Sequence, residues 1–274
     1  KNISLQRSTQ YQTPKEFDGR NVWKGLLNEP MDQGKCGSCW AFASTGCLAD
    51  RFNIQSLGKM NIQLSPTKLI LCDYYGEELQ IMKRNYDYDK LSHINKKSYE
   101  ESSCYGNSLI DAYRYLYIIG TSTEKCLPYT TNLQSVYQKI GDFEDVSELP
   151  LCQTISGPLG DMCSNHVYNY RTGIEEGDPM RFYKCLNFYS IPNNQDDIKY
   201  EIYKWGPLSS ALMIYADFYK YEGRGIYEWD KKSPSISGHA CEIVGWGNEN
   251  DIPYWMVKNS WGCYSKDTEI LTKD

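Results

Sequence analysis

Apolar residues recur at helical spacing in the first part of the chain. In the segment after residue 38, Ala41, Phe42 and Leu48 return at roughly one-turn intervals, and Gly58 marks the end of the pattern. This spacing predicts one long central helix. The helices predicted in this way cover 39–56, 66–72, 108–119 and 196–203.

Beyond residue 207 the pattern changes to β-rich runs separated by turns. These runs cover 208–214, 225–227, 239–247 and 254–261. Helices first and strands second predict an α+β fold, in which a helical lobe over about 20–125 faces a β-rich lobe over about 126–262 across a cleft. Two segments lack either pattern: 73–102 is predicted as a Tyr-rich surface insertion, and 121–180 as long loops held by disulfides.

Composition narrows the class of protein. The formal net charge of −6 argues against nucleic acid as the main partner. Eleven cysteines accompany only three histidines, without paired Cys-x-x-Cys motifs, so disulfides in an oxidising compartment explain them better than a zinc site. We therefore predict a lysosome-like or secreted location, no metal and no cofactor. The chain has no apolar run of membrane-spanning length, and its start at Lys1 predicts a mature or trimmed form.

A glycine-rich turn directly before Cys39 supplies the first candidate chemistry. A thiol in the first turn of a helix meets the positive end of the helix dipole, which favours the thiolate. The thiolate is the nucleophilic form, so this segment predicts a reactive cysteine. A buried structural thiol is the more frequent role of a cysteine without such context.

Three further residues complete a nucleophilic site. A cysteine nucleophile needs a base, a group that orients the base, and donors for the oxyanion. His239 begins one β-run and Asn259 ends the next, so neighbouring antiparallel strands would bring the two side chains together. Gln33 and the Cys39 backbone N–H can point at an oxyanion, and Trp261 can shield the His–Asn bond.

Several motifs, in the same order, resemble the papain-like cysteine peptidases. The three main blocks are DQGKCGSCWAF at 32–42, GHA…GWG at 238–247 and YWMVKNSW at 254–261. Finer motifs, among them FDGR at 17–20 and EIYKWGPL at 201–208, are similar to the cathepsin B branch. The resemblance covers about 14–72, 103–129 and 181–262, and implies the two-lobed papain-like fold for a peptidase domain over 1–262.

The resemblance also assigns roles. It implies Cys39 as nucleophile, His239 as general acid and base, Asn259 as orienting residue and Gln33 as oxyanion donor. The substrate-binding residues that it implies are Gly37, Gly106, Asn107, Gly238 and Trp261, and it pairs Cys36 with Cys104 in a disulfide. Protein or peptide substrates, an inhibitory propeptide and a monomeric state are expected with these roles.

Two departures from the family bear on activity. Asn107 carries a side chain where the family has glycine, which narrows the expected non-primed cleft. Cathepsin B has two adjacent histidines in a loop that makes it a carboxydipeptidase. The corresponding stretch here, about 130–163, has no histidine, and His166 follows alone. An endopeptidase is therefore predicted.

The end of the chain departs most from the pattern of the papain-like family. From Cys263 to residue 274 it resembles the start of an intein, in which Cys263 would be the splice nucleophile; the alternative is a non-native or divergent tail. An intein start implies that the β-rich lobe lacks its final strand until splicing.

Three hypotheses for function follow. The first is thiol-dependent peptide-bond hydrolysis through an acyl-enzyme thioester. The second is a catalytically impaired scaffold that acts as an interaction protein, and the third is a precursor that needs splicing for activity.

Overall fold

The computed structural model describes residues 12–72, 106–129 and 182–262 of the 274, together with three short strands at 166–169, 174–177 and 270–272. The predicted insertion at 73–102, Cys104 and Cys263 lie outside the described residues.

The predicted helices form within two residues of their expected bounds. In chain order the helices are α1 Gly19–Val22, α2 Cys39–Gln55, α3 Thr67–Cys72, α4 Leu109–Ile118 and α5 Gln195–Trp205. Capping side chains explain two of the starts. Ser108 Oγ accepts the backbone N–H of Ile110 at 3.1 Å, and Asn194 Oδ1 accepts that of Asp197 at 2.9 Å.

The predicted β-runs also form strands. The strands are β1 Phe17–Asp18, β2 His166–Asn169, β3 Ile174–Gly177, β4 Leu208–Tyr215, β5 Ile226–Tyr227, β6 Ser235–Glu249, β7 Ile252–Lys258 and β8 Ile270–Thr272. β7 ends at Lys258, so Asn259 follows the strand instead of belonging to it. The prediction of loops throughout 121–180 was wrong in part, because β2 and β3 pair antiparallel there.

One sheet organises the second half of the molecule. Its strand order is β1-β6-β7-β8-β5. The strand β4 also pairs with β6, outside this order. β6 and β7 are antiparallel neighbours, as the separation of His239 and Asn259 predicted, with Glu242 directly opposite Lys258. The long strand β6 therefore places His239 next to the end of β7, which directly precedes Asn259.

The tail corrects an expectation. An intein start implied a sheet without a final strand, yet β8 pairs antiparallel with β7 and parallel with β5. Residues 270–272 thus supply backbone hydrogen-bonding partners to the edge of β7 that the sequence pattern left open.

The buried apolar residues form two hydrophobic clusters. The first joins α2, α3 and α4, and the second packs α5 and the strand segment around Phe17 against the sheet. Phe17 stacks on Trp246 at 5.0 Å between ring centroids, and Trp23 contacts the Phe17 ring edge-on. The segment around Phe17 and Trp23 therefore packs with the sheet, although Trp23 falls within the predicted helical lobe.

The combination of helices with a largely antiparallel sheet confirms the α+β class. α2 is buried on most of its circumference, because it contacts β6 on one side and α4 on another. A helix in this position explains why polar residues of α2, including Asp50 and Asn53, are also buried.

Candidate active site

Cys39 opens α2 and is half-buried at the contact with β6. The backbone N–H of Ala240 donates to Cys39 Sγ at 3.3 Å, although the two residues are 201 positions apart. Before the helix, Gly34 adopts a left-handed φ of 59°, and the Ser38 N–H donates to the Cys36 carbonyl at 2.8 Å. The turn and the strand together fix the thiol.

His239 and Asn259 meet at the neighbouring ends of β6 and β7. His239 Nε2 lies 2.6 Å from Asn259 Oδ1, and the Ser260 N–H donates to the same oxygen at 2.8 Å. The second bond identifies the oxygen end of the amide, so the imidazole donates through Nε2. Nδ1 is then the nitrogen that can take up a proton.

Aromatic rings cover this pair. The Trp261 ring centroid lies 4.9 Å from that of His239, and Phe218 and Tyr219 pack on the Trp261 ring at 5.6 and 6.1 Å. Only 7% of His239 is exposed. Trp261 therefore limits the access of water to the His–Asn hydrogen bond.

Gln33 connects the turn before Cys39 with the residue after Asn259. Its Nε2 donates to the Cys36 carbonyl at 2.9 Å, and its Oε1 accepts from Ser260 Oγ at 2.5 Å. The Tyr129 hydroxyl donates to the Gln33 carbonyl at 2.8 Å. The Gln33 amide is buried and held beside the turn that leads to the thiol.

The local electrostatics differ from the helix-dipole expectation. Burial raises the pKa of Cys39, although the backbone N–H groups of Ala240, Trp40 and Cys39 lower it. Burial also lowers the pKa of His239, against the hydrogen bond to Asn259, which raises it. Each group by itself therefore favours its neutral form, because the desolvation cost outweighs the donors at the helix start.

The other predicted substrate-binding residues have the following local geometry. Gly106 adopts a φ of 115°, and a Cβ at Gly106 or at Gly238 would meet no atom within 4 Å. Gly37 is half-buried within the turn before Cys39. Asn107 Oδ1 accepts the Ser108 N–H at 2.7 Å, which turns this side chain toward the start of α4.

The predicted disulfide is described at one end. Cys36 is disulfide-bonded, as is Cys126. Because Cys104 lies outside the described residues, its pairing with Cys36 stays a prediction.

Sequence reasoning missed a group of buried ionic residues beside the site. Lys258, which directly precedes Asn259, forms ion pairs with Asp50 and Glu242. The only signal in the sequence was a charged residue within each of three apolar runs. In the described part of the chain, no group of three or more His, Cys, Asp or Glu side chains is arranged to hold a metal ion.

A cavity lies beside Asn259, the residue that is predicted to orient His239. It has a volume of about 570 Å³, and Asn259 and Trp261 line it with Val244, Met256 and Phe218. Neither Cys39 nor His239 contributes to its walls. A molecule in this cavity would contact the orienting residue but not the thiol.

A family model, the papain family cysteine protease, matches residues 13–267. The chain belongs to the papain family of cysteine proteases. The match extends past Gly262 to residue 267.

Individual relatives refine this assignment. The chain is 30% identical over 263 residues to cathepsin B-like cysteine proteinase 4 of Caenorhabditis elegans, covering 90% of this chain and 66% of that protein. It is 26% identical over 264 residues to tubulointerstitial nephritis antigen-like of Rattus norvegicus, covering 91% of this chain and 48% of that protein. The chain thus spans about half to two thirds of the length of these curated relatives.

Solved structures show the same fold. Procathepsin B S9 from Trypanosoma congolense superposes with a TM-score of 0.63 at 21% identity, covering 96% of this chain and 73% of that one. A structure from a study of the mite allergens Blo t 1 and Der p 1 gives 0.58 at 22% identity, covering 97% and 68%. None of the helices among the described residues is long and apolar enough to cross a membrane.

Proposed function

We propose that this papain-family chain hydrolyses peptide bonds, with Cys39 as nucleophile and His239 as general acid and base. The observation that carries the proposal is the convergence of three elements. The N–H of Ala240, next to His239, reaches the Cys39 thiol, and the His239 ring is held by Asn259.

The proposed reaction has two halves, and in each half His239 takes up one proton and gives it away again. His239 Nδ1 takes the proton of Cys39, and Sγ attacks the peptide carbonyl to form a tetrahedral intermediate. His239 then protonates the leaving amine, which leaves a thioester on Cys39. A water molecule, deprotonated by His239, attacks the thioester carbonyl. The C–S bond then breaks, the carboxylic acid product leaves, and the proton on His239 returns to Cys39 Sγ.

Burial sets the conditions for this proton transfer. The separate thiolate and imidazolium are both disfavoured in the buried site, but formed together they stabilise each other. Gln33 and the Cys39 backbone N–H are the proposed oxyanion donors, because the Gln33 amide is held at the turn before the thiol.

We further propose endopeptidase action on protein or peptide substrates. This rests on the absence of histidine from 130–163, a segment outside the described residues. An inhibitory propeptide and a lysosome-like or secreted compartment belong to the same proposal, since the cysteine content fits an oxidising environment.

A non-catalytic interaction protein is the second candidate. Two observations favour it: Asn107 at a position where the family has glycine, and the similarity to a relative whose name denotes an antigen. In that case the cleft would bind a protein without cleaving it.

Replacement of Cys39 separates the two candidates. We expect Cys39→Ala to lose peptide hydrolysis, and the parent protein to react rapidly at Cys39 with an epoxide-type thiol inhibitor at mildly acidic pH. Cys47→Ala is the matched control, because Cys47 is a free, buried thiol on the same helix. Equal hydrolysis by Cys39→Ala and the parent would refute the peptidase proposal.

A further inference from the structure

Three buried ionisable side chains form a cluster that the proposed reaction does not use. Lys258 Nζ pairs with Asp50 Oδ2, and with Glu242 Oε2 at 2.7 Å. Asp50 is 0% and Glu242 1% exposed, while the Lys258 side chain is 13% exposed. Charges at this depth need close partners, so the cluster depends on the relative positions of the elements that carry it.

Each member of the cluster shares an element with a proposed catalytic residue or directly precedes one. The pairs are Asp50 with Cys39 on α2, Glu242 with His239 on β6, and Lys258 at the end of β7 with the directly following Asn259. Through these contacts, Lys258 links the end of β7 to α2 and β6.

The surrounding residues accommodate the cluster. Gly46 on α2 leaves room for the Glu242 carboxyl, since a Cβ at position 46 would lie 3.1 Å from Glu242 Oε2. The backbone N–H and the amide of Asn28 donate to Asp50 Oδ1 at 2.9 and 2.8 Å. Asp50 is thus fixed from one side, and Lys258 bonds to its other oxygen.

The cluster holds two carboxyl groups and one ammonium. The thiols of Cys47 and Cys241 lie near Glu242, and a charge on Glu242 contributes to raising their pKa values. Burial raises the pKa of Glu242 to about 8, against Lys258, which lowers it. Burial alone would lower the pKa of Lys258. The neighbouring Glu242 and Asp50 raise this pKa by more than burial lowers it, so the ammonium stays charged.

We propose that Lys258 is a positioning residue for the peptidase reaction. Its contacts with the Asp50 carboxylate and the Glu242 carboxyl hold the end of β7, and with it Asn259, at a fixed place relative to Cys39. This inference rests on the proposed function of the site. Since Asn259 holds the His239 ring through a 2.6 Å hydrogen bond, a shift at the end of β7 would turn the imidazole away from the thiol.

The test compares Lys258→Met, Lys258→Arg and the parent. The rate at which iodoacetamide alkylates Cys39 is measured from pH 4 to 9 by peptide mass mapping, and kcat and KM are measured per thiol titrated with an epoxide inhibitor. We expect Lys258→Met to lower both the alkylation rate below pH 7 and kcat by about tenfold or more, with KM changed less than about threefold. Lys258→Arg, which keeps the charge, should stay within a few-fold of the parent.

Two further variants distinguish positioning from loss of folding. Lys204→Met is the matched control, because Lys204 is exposed on α5. The triple variant Asp50→Asn, Glu242→Gln, Lys258→Met removes all three charges at nearly constant shape. We expect it to regain thermal stability relative to Lys258→Met without regaining the reactivity of Cys39.

The inference is overturned if the alkylation profile of Lys258→Met matches that of the parent, or if the triple variant regains reactivity together with stability. Alkylation requires no turnover. A parent that cleaves no peptide would therefore refute the proposed function, while the alkylation profiles would still decide the role of Lys258.

Discussion

At the scale of single residues, the proposed site depends on polar atoms that have few alternatives. Gln33 is an example: its amide donates to the Cys36 carbonyl and accepts from Ser260, while its own carbonyl accepts from Tyr129. A buried side chain with several bonds is held in one orientation. It can therefore present an N–H near a reacting carbonyl without a cost in reorganisation.

Replacing Gln33 tests its part in oxyanion stabilisation. We expect Gln33→Ala to lower kcat by about 10²-fold with little change in KM, because the lost donor acts on charge that develops in the transition state. Ser260→Ala is the control, since it removes one bond to Gln33 but leaves the Gln33 N–H groups in place. Steady-state kinetics on one peptide substrate measure both; a similar loss in the two variants would indicate a structural role for Gln33.

At the scale of elements, β6 carries the most constraints. It pairs with β1, β4 and β7, holds His239, and places the N–H of Ala240 on the thiol. Close packing around it requires a residue without a side chain at one point, because a Cβ at Gly245 would lie 2.2 Å from the carbonyl oxygen of Phe17. A residue with a side chain at position 245 would therefore force the backbone of β1 to move.

This contact gives a prediction for stability. Gly245→Ala should lower the free energy of unfolding by about 2–4 kcal/mol, since backbone atoms on β1 must move to admit the methyl group. Gly238→Ala on the same strand should change it by less than about 1 kcal/mol, because no atom lies within 4 Å of the added carbon. Denaturant unfolding measures both, and equal effects would contradict the packing explanation.

At the scale of the whole molecule, the two hydrophobic clusters are joined by a polar seam. Arg51 on α2 donates to the Pro207 carbonyl at 2.6 Å and pairs with Glu201 at 3.1 Å. The Tyr113 hydroxyl lies 2.7 Å from that of Ser209. Since the seam is largely polar, the charge state of buried groups affects how firmly the halves of the molecule are joined.

Glu242 should make stability depend on pH. Its pKa is raised from 4.5 to about 8 in the folded chain by burial, so between these values the folded state keeps a proton that the unfolded state has lost. Stability from this group is complete below pH 4.5, falls by up to about 1.4 kcal/mol per pH unit as pH rises, and is lost by about pH 8. The ionisable groups around Glu242 are Lys258 on β7, Asp50 and Cys47 on α2, and Cys241 on its own strand.

The measurement compares the free energy of unfolding from pH 4 to 9 in the parent and in Glu242→Gln. We expect a flatter dependence in the variant, because glutamine does not titrate. Glu222→Gln, at an exposed position, is the control. Parallel curves for the parent and Glu242→Gln would show that this carboxyl does not titrate in that range.

The sequence alone determined most of what depends on neighbours along the chain. The helices over 39–56 and 108–119 were predictable because apolar spacing and a capping Ser108 act within a few residues. The motif around Cys39 was predictable for the same reason. The antiparallel pairing of the run that holds His239 with the run before Asn259 was predictable because the two runs are consecutive in the chain. The family resemblance extended these local signals to an ordered set of roles.

Only the tertiary structure decided how deeply the site is buried and what lies behind it. The burial that raises the pKa of Cys39 and lowers that of His239 results from packing between α2 and β6, whose residues are some 200 positions apart. The contacts of Lys258 with Asp50 and Glu242 likewise require the register of β6 on β7 and the approach of α2. Desolvation and ion pairing depend on distances in space, and a pattern along the chain does not specify them.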